Sequence, residues 1–169
     1  MTTATIAIRA APPLYSGRAH VRAMSTSLQQ STGRLLIETA GAGFTDISRR
    51  VSQWLADQGA REGLLTVFIR HTSASLVIQE NADPDVLRDL MTRLDELAPE
   101  DGNYRHSSEG PDDMPAHIKA MLTATSLAIP VRAGRMALGT WQGLYIVEHR
   151  ARPHRREIAL HFIGTLKAD

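Results

Sequence analysis

The chain of 169 residues lacks cysteine, and only 5% of its residues are aromatic. The absence of cysteine excludes disulfides, thiolate catalysis and Cys-ligated zinc. No stretch approaches the ~20 apolar residues of a membrane-spanning helix, and a formal net charge of +1 gives no electrostatic argument for nucleic acid. We therefore expect a cytoplasmic protein that binds neither membrane nor nucleic acid, in which any metal would be held by His, Asp or Glu.

Acidic residues are missing from the N-terminal part, where Glu38 is the first. The preceding positions carry four arginines in a background rich in Ala, Ser and Thr. An organelle transit peptide has this composition, and a true start at Met24 would explain it equally well. We predict a poorly ordered extension over residues 1–24 and a single domain over residues 25–169.

Hydrophobic periodicity predicts alternating strands and helices over the remainder of the chain. Three helices are expected, the first after Asp46, the second after Asp83 with Pro84 at its first position, and the third after Asp112 or Asp113. Apolar residues on both faces of the later strands indicate a sheet covered by helices on one side and by another subunit on the other. The predicted strands are 28–30, 35–39, 64–69, 76–78, 127–132, 136–138, 144–149 and 157–163, with a turn at Gly33 between the first two.

In residues 68–81, predicted buried strands end in clusters of polar side chains. The apolar run 64–69 ends on Arg70, His71, Thr72 and Ser73. The next run, 76–78, closes on Gln79, Glu80 and Asn81. Polar groups at buried strand ends must be hydrogen-bonded or used by a ligand. Hydroxyls in turns also commonly satisfy the backbone, so the residues alone leave both interpretations open.

Three histidines occupy a turn, a polar loop and a helix start, which are His71, His106 and His117. The positive end of the helix dipole disfavours protonation of His117, and neutral imidazole is the form that binds metals. We predict that the three imidazoles form one cluster around a divalent metal ion, Zn²⁺ or Mg²⁺, with Glu80 or Glu109 nearby. The alternative for His117 is a core histidine.

Two other segments carry candidate binding groups. Gly139 and Gly143 flank Trp141 and Gln142, a pattern typical of a bulge that aims an indole and an amide at a ligand. The hairpin 148–157 is dense in cations, and arginine pairs suit phosphate. Exposed hairpin tips also ordinarily carry solvated charge. We favour Arg155 and Arg156 as phosphate ligands because they begin a strand.

Four motifs in order over residues 26–164 carry a family resemblance: HTSAS, QENADPDVLRD, YRHSSEGPDDMPAHIKA and IPVRAGRMALGTWQGLYIVEHRARPHRRE. The chain resembles the YjbQ family. The resemblance implies an α+β fold with a large mixed, mainly antiparallel sheet and about three helices, assembled as a homotrimer with sites near the subunit interfaces. It also implies a secondary thiamine-phosphate synthase activity. The family's polar residues correspond here to His71, Ser73, Glu80, Asp89, His106, Glu109, His117, Trp141, Gln142, Glu148 and Arg156.

The expected function is therefore a metal-assisted transferase that condenses hydroxymethylpyrimidine pyrophosphate with thiazole phosphate and releases pyrophosphate. Two alternatives stay open, a non-catalytic trimer that binds a metal or a phosphorylated metabolite, and a metal-dependent phosphohydrolase. The predicted site comprises catalytic Glu80, Asp89, Glu109 and Gln142, substrate-binding Thr72, Ser73, Trp141, Arg155 and Arg156, and metal-binding His71, His106 and His117.

Overall fold

The structure is a computed structural model that describes residues 28–167. The extension predicted for residues 1–24 lies outside this range. Within it, eight strands and three helices follow one another along the chain. They are β1 (Gln29–Thr39), β2 (Gly43–Asp46), α1 (Ser48–Asp57), β3 (Ala60–Ile69), β4 (Ala74–Glu80), α2 (Pro84–Leu97), α3 (Asp113–Leu122), β5 (Ser126–Arg132), β6 (Arg135–Met136), β7 (Gln142–Glu148) and β8 (His154–Leu166).

The strands form two sheets, one ordered β1-β8-β3-β5-β6 and the other β2-β7-β4. Every strand pairing between these elements is antiparallel. The predicted α+β class with three helices is confirmed. The turn predicted at Gly33 is wrong, since β1 continues through it and pairs Gly33 with Leu160. A side chain there would collide with the indole of Trp54, 2.3 Å from an added Cβ, so this glycine makes room for α1.

The core lies between the two sheets and under α1. Leu65 and Val67 of β3 point into it, as do Leu144 and Ile146 of β7 and Val51 of α1, all with no more than 1% of their surface exposed. The opposite face of the three-stranded sheet is covered by α2 and α3, which contact β2 and β4. Strand β7 is therefore buried on both faces, which explains its continuous apolar sequence.

The start of α2 follows its sequence signal, whereas the N-cap residues of α1 and α3, Ile47 and Asp112, make no side-chain capping hydrogen bond. Asp83 caps α2 by accepting a hydrogen bond from Asp85 N (2.9 Å), as predicted. Asp46 accepts one from Ser48 N (2.7 Å) at the start of α1. These carboxylates satisfy backbone donors that the first helical turn leaves unpaired.

The outer face of the five-stranded sheet keeps apolar side chains at the surface. Leu64, Phe68 and Ile163 are 40%, 44% and 42% exposed. Leu64 and Ile163 are directly paired across β3 and β8. No other element among residues 28–167 covers them.

The helices of residues 28–167 are all too short or too polar to traverse a lipid bilayer.

Candidate metal centre and adjoining cavities

His106, Asp113 and His117 bring one nitrogen or oxygen atom each to within 4.8 Å of one another. His106 Nε2 lies 2.6 Å from Asp113 Oδ2, and His117 Nε2 lies 3.5 Å from the same oxygen. The two imidazole centroids are 5.6 Å apart. Asp113 is buried, whereas the side chains of His106 and His117 are 43% and 34% exposed. The cluster is thus anchored in the protein and open to solvent on its histidine side.

Arg150 fixes the carboxylate at the base of this cluster. Its guanidinium pairs with Asp113 Oδ1, and its Nε donates to Asp112 Oδ2 (3.0 Å). A further N–H donates to the Glu109 carbonyl (2.8 Å). Burial opposes ionisation of Asp112, but hydrogen bonds from Ala151 N and Arg150 lower its pKa below the ordinary value. Because Arg150 occupies Oδ1 of Asp113, Oδ2 is left facing the two histidines.

The tautomer of His117 follows from its contact with the turn between β3 and β4. His117 Nδ1 lies 3.1 Å from the carbonyl oxygen of Thr72, which can only accept, so Nδ1 must carry a proton. In the neutral ring, Nε2 then presents a lone pair to Asp113 Oδ2. Two lone pairs that face each other across 3.5 Å repel unless a proton or a metal cation lies between them. Metal-binding histidines commonly have their other nitrogen held in this way.

The structure does not group His71 with the other two histidines. His71 Nε2 accepts a hydrogen bond from Glu157 N (2.8 Å), which occupies the lone pair a metal would need on that nitrogen. Burial, followed by the charge of Arg156, lowers the pKa of His71. In this cluster Asp113 takes the place that the sequence prediction gave to His71.

The β3–β4 turn lines a cavity of about 460 Å³ beside His117. Phe68, Arg70, His71, Thr72 and Ser73 contribute to its wall. The Thr72 carbonyl connects this wall to His117. The predicted substrate residues Thr72 and Ser73 lie in this wall, and the Thr72 carbonyl places the wall next to the histidine and carboxylate cluster.

A second group of predicted residues lies at the far end of β4. Glu80 pairs with Gln142 across β4 and β7, and Asn81 N donates to the Trp141 carbonyl (3.0 Å). Trp141 is 65% exposed. Since β4 spans seven residues, this group is separated from Ser73 by roughly 20 Å at ~3.3 Å per residue. Within one chain, the two groups do not form one site.

The remaining predicted residues differ in accessibility. Asp89 is exposed on α2, and the exposed Glu109 lines a cavity of about 400 Å³ together with Arg150 and Arg152. Arg155 is also at the surface, 3.7 Å from Glu38.

Arg156 is 4% exposed and forms a buried ion pair with Glu148, which is fully buried. Its Nε donates to Glu148 Oε2 (2.7 Å) and another N–H donates to Ser73 Oγ (3.2 Å). Thr39 Oγ1 also donates to Glu148 (2.7 Å). Burial opposes ionisation of Glu148, but these hydrogen bonds, with Arg156 the strongest, lower its pKa. The guanidinium charge is therefore matched inside the protein, on the wall behind Ser73.

His149 is the most strongly perturbed titratable group among residues 28–167. It is 2% exposed, and burial followed by the charge of Lys119 lowers its pKa from 6.5 to about 4. Between pH 4 and pH 6.5 the unfolded chain binds a proton at His149 that the folded chain does not. The contribution of His149 to the free energy of unfolding is therefore complete above pH 6.5 and falls toward pH 4.

From pH 7 to pH 5 we expect His149 to lower the free energy of unfolding by about 2 kcal/mol. Urea unfolding should show a smaller loss for His149→Gln, and equal losses would contradict this assignment.

Asp113 and Arg150 are the site residues that sequence reasoning missed. Asp113 was interpreted only as a helix cap. Its spacing of four residues from His117 is the usable signal, because positions i and i+4 share one face of a helix. Arg150 gives no such local signal, since its partners are 37 and 38 residues away.

The family model described as "UPF0047 protein YjbQ-like" matches residues 34–165. A UPF0047 protein of Synechocystis sp. is 51% identical over 143 residues, which cover 84% of this chain and 97% of the relative. UPF0047 protein YjbQ of Escherichia coli O157:H7 is 40% identical over 136 residues, which cover 80% and 96% of the two chains.

Solved structures agree with this relationship. An uncharacterised YjbQ/UPF0047 protein of Clostridium acetobutylicum has a TM-score of 0.71 at 38% identity, covering 76% of this chain and 98% of that one. A YbjQ-like protein of unknown function from Sulfolobus solfataricus shares the fold, with a TM-score of 0.76 at 24% identity over 82% of this chain and all of the other. The names of these four relatives specify a family and no reaction. The chain belongs to the UPF0047 family of YjbQ-like proteins.

Proposed function

We propose that the protein is a metal-dependent enzyme that acts on phosphorylated small molecules. The observation that carries this proposal is the arrangement of His106, Asp113 and His117, in which His117 Nε2 lies 3.5 Å from Asp113 Oδ2. A divalent ion bonded at about 2.1 Å to each of three such atoms would hold them about 3–3.5 Å apart. The three atoms already lie within 4.8 Å of one another. A bound ion would replace the 2.6 Å hydrogen bond between His106 Nε2 and Asp113 Oδ2 and move these two atoms apart to about 3 Å.

The donor set indicates which ions fit. Two imidazole nitrogens and one carboxylate oxygen favour Zn²⁺ or another first-row divalent ion over Mg²⁺, which prefers oxygen ligands. His106 and His117 are on the open side of the cluster, so further coordination positions would face the solvent. Three protein ligands with open positions are typical of catalytic rather than structural sites.

For the reaction we propose the condensation of hydroxymethylpyrimidine pyrophosphate with thiazole phosphate. The methylene C–O bond to pyrophosphate breaks, a C–N bond to the thiazole nitrogen forms, and pyrophosphate leaves. A bound divalent ion would neutralise charge on the pyrophosphate. The chain's own task is to hold the two reactants in line. The turn of Thr72 and Ser73, backed by the Arg156–Glu148 pair, supplies a fixed wall for this beside His117.

The assay for this proposal uses purified protein, the two precursors and Zn²⁺, Mn²⁺ or Mg²⁺ in turn, with thiamine phosphate and pyrophosphate as the measured products. We expect equal amounts of both products with the wild type and none with Asp113→Asn. Release of phosphate from generic phosphomonoesters instead would identify a phosphohydrolase. Ligand-dependent stabilisation without any product would favour the non-catalytic alternative.

We further propose that a homotrimer unites the two groups of site residues. The exposed apolar face containing Leu64, Phe68 and Ile163 borders the β3–β4 turn and can be covered by a neighbouring copy. Trp141 and Gln142 of one subunit would then complete the site that contains His117 of the next. In this assembly the polar residues at the two ends of β4, which are far apart within one chain, would belong to one site.

Mixed trimers test this arrangement. His117→Ala and Trp141→Ala should each be inactive alone, whereas their co-expression should restore activity. In a cyclic trimer each mixed assembly regains one of its three sites, so random mixing should give about a quarter of wild-type activity. Co-expression of His117→Ala with His106→Ala serves as the control, because both changes affect the same half of the site. Recovery in the control, or none in the test pair, would contradict a shared site.

A further inference from the structure

A separate cavity of about 340 Å³ lies between α2, α3 and the end of β7. Two polar side chains in its wall are almost completely buried, Lys119 at 5% and His149 at 2% exposure. The rest of the wall comprises the carboxylates Asp95 and Glu100 and the small or apolar residues Ala42, Ala98, Pro99 and Ala151. Lys119 points toward α2, whereas His117 on the same helix points toward the β3–β4 turn. This cavity is therefore distinct from the histidine and carboxylate cluster.

His149 has a ring nitrogen without a partner in this cavity. Its Nε2 lies 2.9 Å from Ser75 Oγ, while its Nδ1 is buried and has no hydrogen-bond partner among residues 28–167. Ser75 is fully buried, and its hydroxyl finds no other acceptor in the described part of the chain. The hydroxyl therefore donates to Nε2, since its proton would otherwise be unsatisfied. In the neutral ring this leaves a proton on Nδ1, which makes Nδ1 a donor.

Lys119 supplies further donors. Its ammonium gives one hydrogen bond to Asp95 Oδ1 (2.5 Å) and has two more N–H groups. Asp95 is 61% exposed, so it shields the ammonium from one side only. His149 Nδ1 lacks a partner among residues 28–167, and an acceptor in this cavity would satisfy it together with a further N–H of Lys119.

We propose that this cavity binds the oxyanion of a small molecule, a carboxylate or a phosphate group, through Lys119 Nζ and His149 Nδ1. The volume is within the range of ~300–1,000 Å³ typical of small-molecule sites. Binding here does not depend on a metal at the other cluster or on the proposed reaction. It would give the protein a second anion-binding site.

The test follows the His149 side-chain nitrogens by NMR in the full-length protein during titration with inorganic phosphate and, separately, acetate. Chelator-treated Asp113→Asn protein is used, so that anions bound through a metal do not contribute. We expect a bare Nε2, a protonated Nδ1 and a saturable shift of Nδ1. Response to one anion alone assigns the site to that group, and response to neither overturns the proposal.

Two variants locate the binding. Lys119→Met keeps the packing and should weaken anion affinity about tenfold or more, because one charge-assisted hydrogen bond is lost. Asp95→Asn changes an exposed side chain and should strengthen affinity, because the competing carboxylate is gone. Crystals soaked in selenate give an independent measurement, with an anomalous peak expected within hydrogen-bond distance of both donors. Unchanged affinity in Lys119→Met, or a selenate-soaked cavity without that peak, would contradict the assignment.

Discussion

Replacing Glu148 by Ala is expected to lower the free energy of unfolding by about 3–5 kcal/mol, because it leaves a buried charge unpaired. Arg156 would stay charged at 4% exposure with only Ser73 as a hydrogen-bond partner from its present set. Thr39 Oγ1 would also lose one of its two acceptors and keep only the His154 carbonyl. Urea unfolding at pH 7, where Glu148 is ionised in the wild type, measures the loss directly.

Glu38→Ala is the matched control for this change. Glu38 lies 3.7 Å from Arg155, the neighbour of Arg156, but both partners of that pair are largely exposed. Exposed ion pairs are worth about 0–1 kcal/mol, so the control should lose much less stability than Glu148→Ala. Similar losses in the free energy of unfolding would contradict the prediction, because they would mean that burial does not determine how much an ion pair contributes to stability.

Removing any one of His106, Asp113 and His117 is expected to abolish metal binding. Elemental analysis after dialysis against Zn²⁺ should give about one ion per chain for the wild type and close to none for His106→Ala, Asp113→Asn or His117→Ala. The melting temperature of the metal-free His117→Ala protein should change little, because this side chain is 34% exposed and its removal leaves no cavity in the core.

His71→Ala separates the observed cluster from the one predicted by sequence. His71 Nε2 is engaged by Glu157 N, so its removal should leave the zinc content near one ion per chain. Loss of zinc in this variant would restore His71 as a ligand. Retention of zinc in Asp113→Asn would remove the carboxylate from the site.

The sequence predicts most of the fold because its signals are local. The predicted start of α2 depends on a signal within three residues, in which Asp83 accepts a hydrogen bond from Asp85 N and Pro84 begins the helix. The structure confirms this start. The turn expected at Gly33 is wrong because the glycine is needed there for a tertiary reason. The Trp54 side chain approaches closely, and no local sequence pattern reveals this contact. Strand β2 is missed for a similar reason, since its four residues are ordered by pairing with the distant β7.

The same distinction between local and tertiary signals applies to the residues of the candidate site. His106 and His117 come together as predicted, because the loop and the helix start that carry them are neighbours in sequence. The position of His71 depends on a hydrogen bond to β8, 86 residues away along the chain, and could not be derived from spacing. The pairing of Arg156 with Glu148 is likewise set by packing, and it directs inward a guanidinium that the sequence assigned to phosphate.

A divalent ion bound by His106, Asp113 and His117 would be seen directly by anomalous diffraction. Crystals of the full-length protein soaked with Zn²⁺ should be measured on both sides of the zinc absorption edge. We expect one anomalous peak about 2 Å from His106 Nε2, Asp113 Oδ2 and His117 Nε2. A cluster without that peak, or a zinc ion held by His71 in place of Asp113, would contradict this metal site.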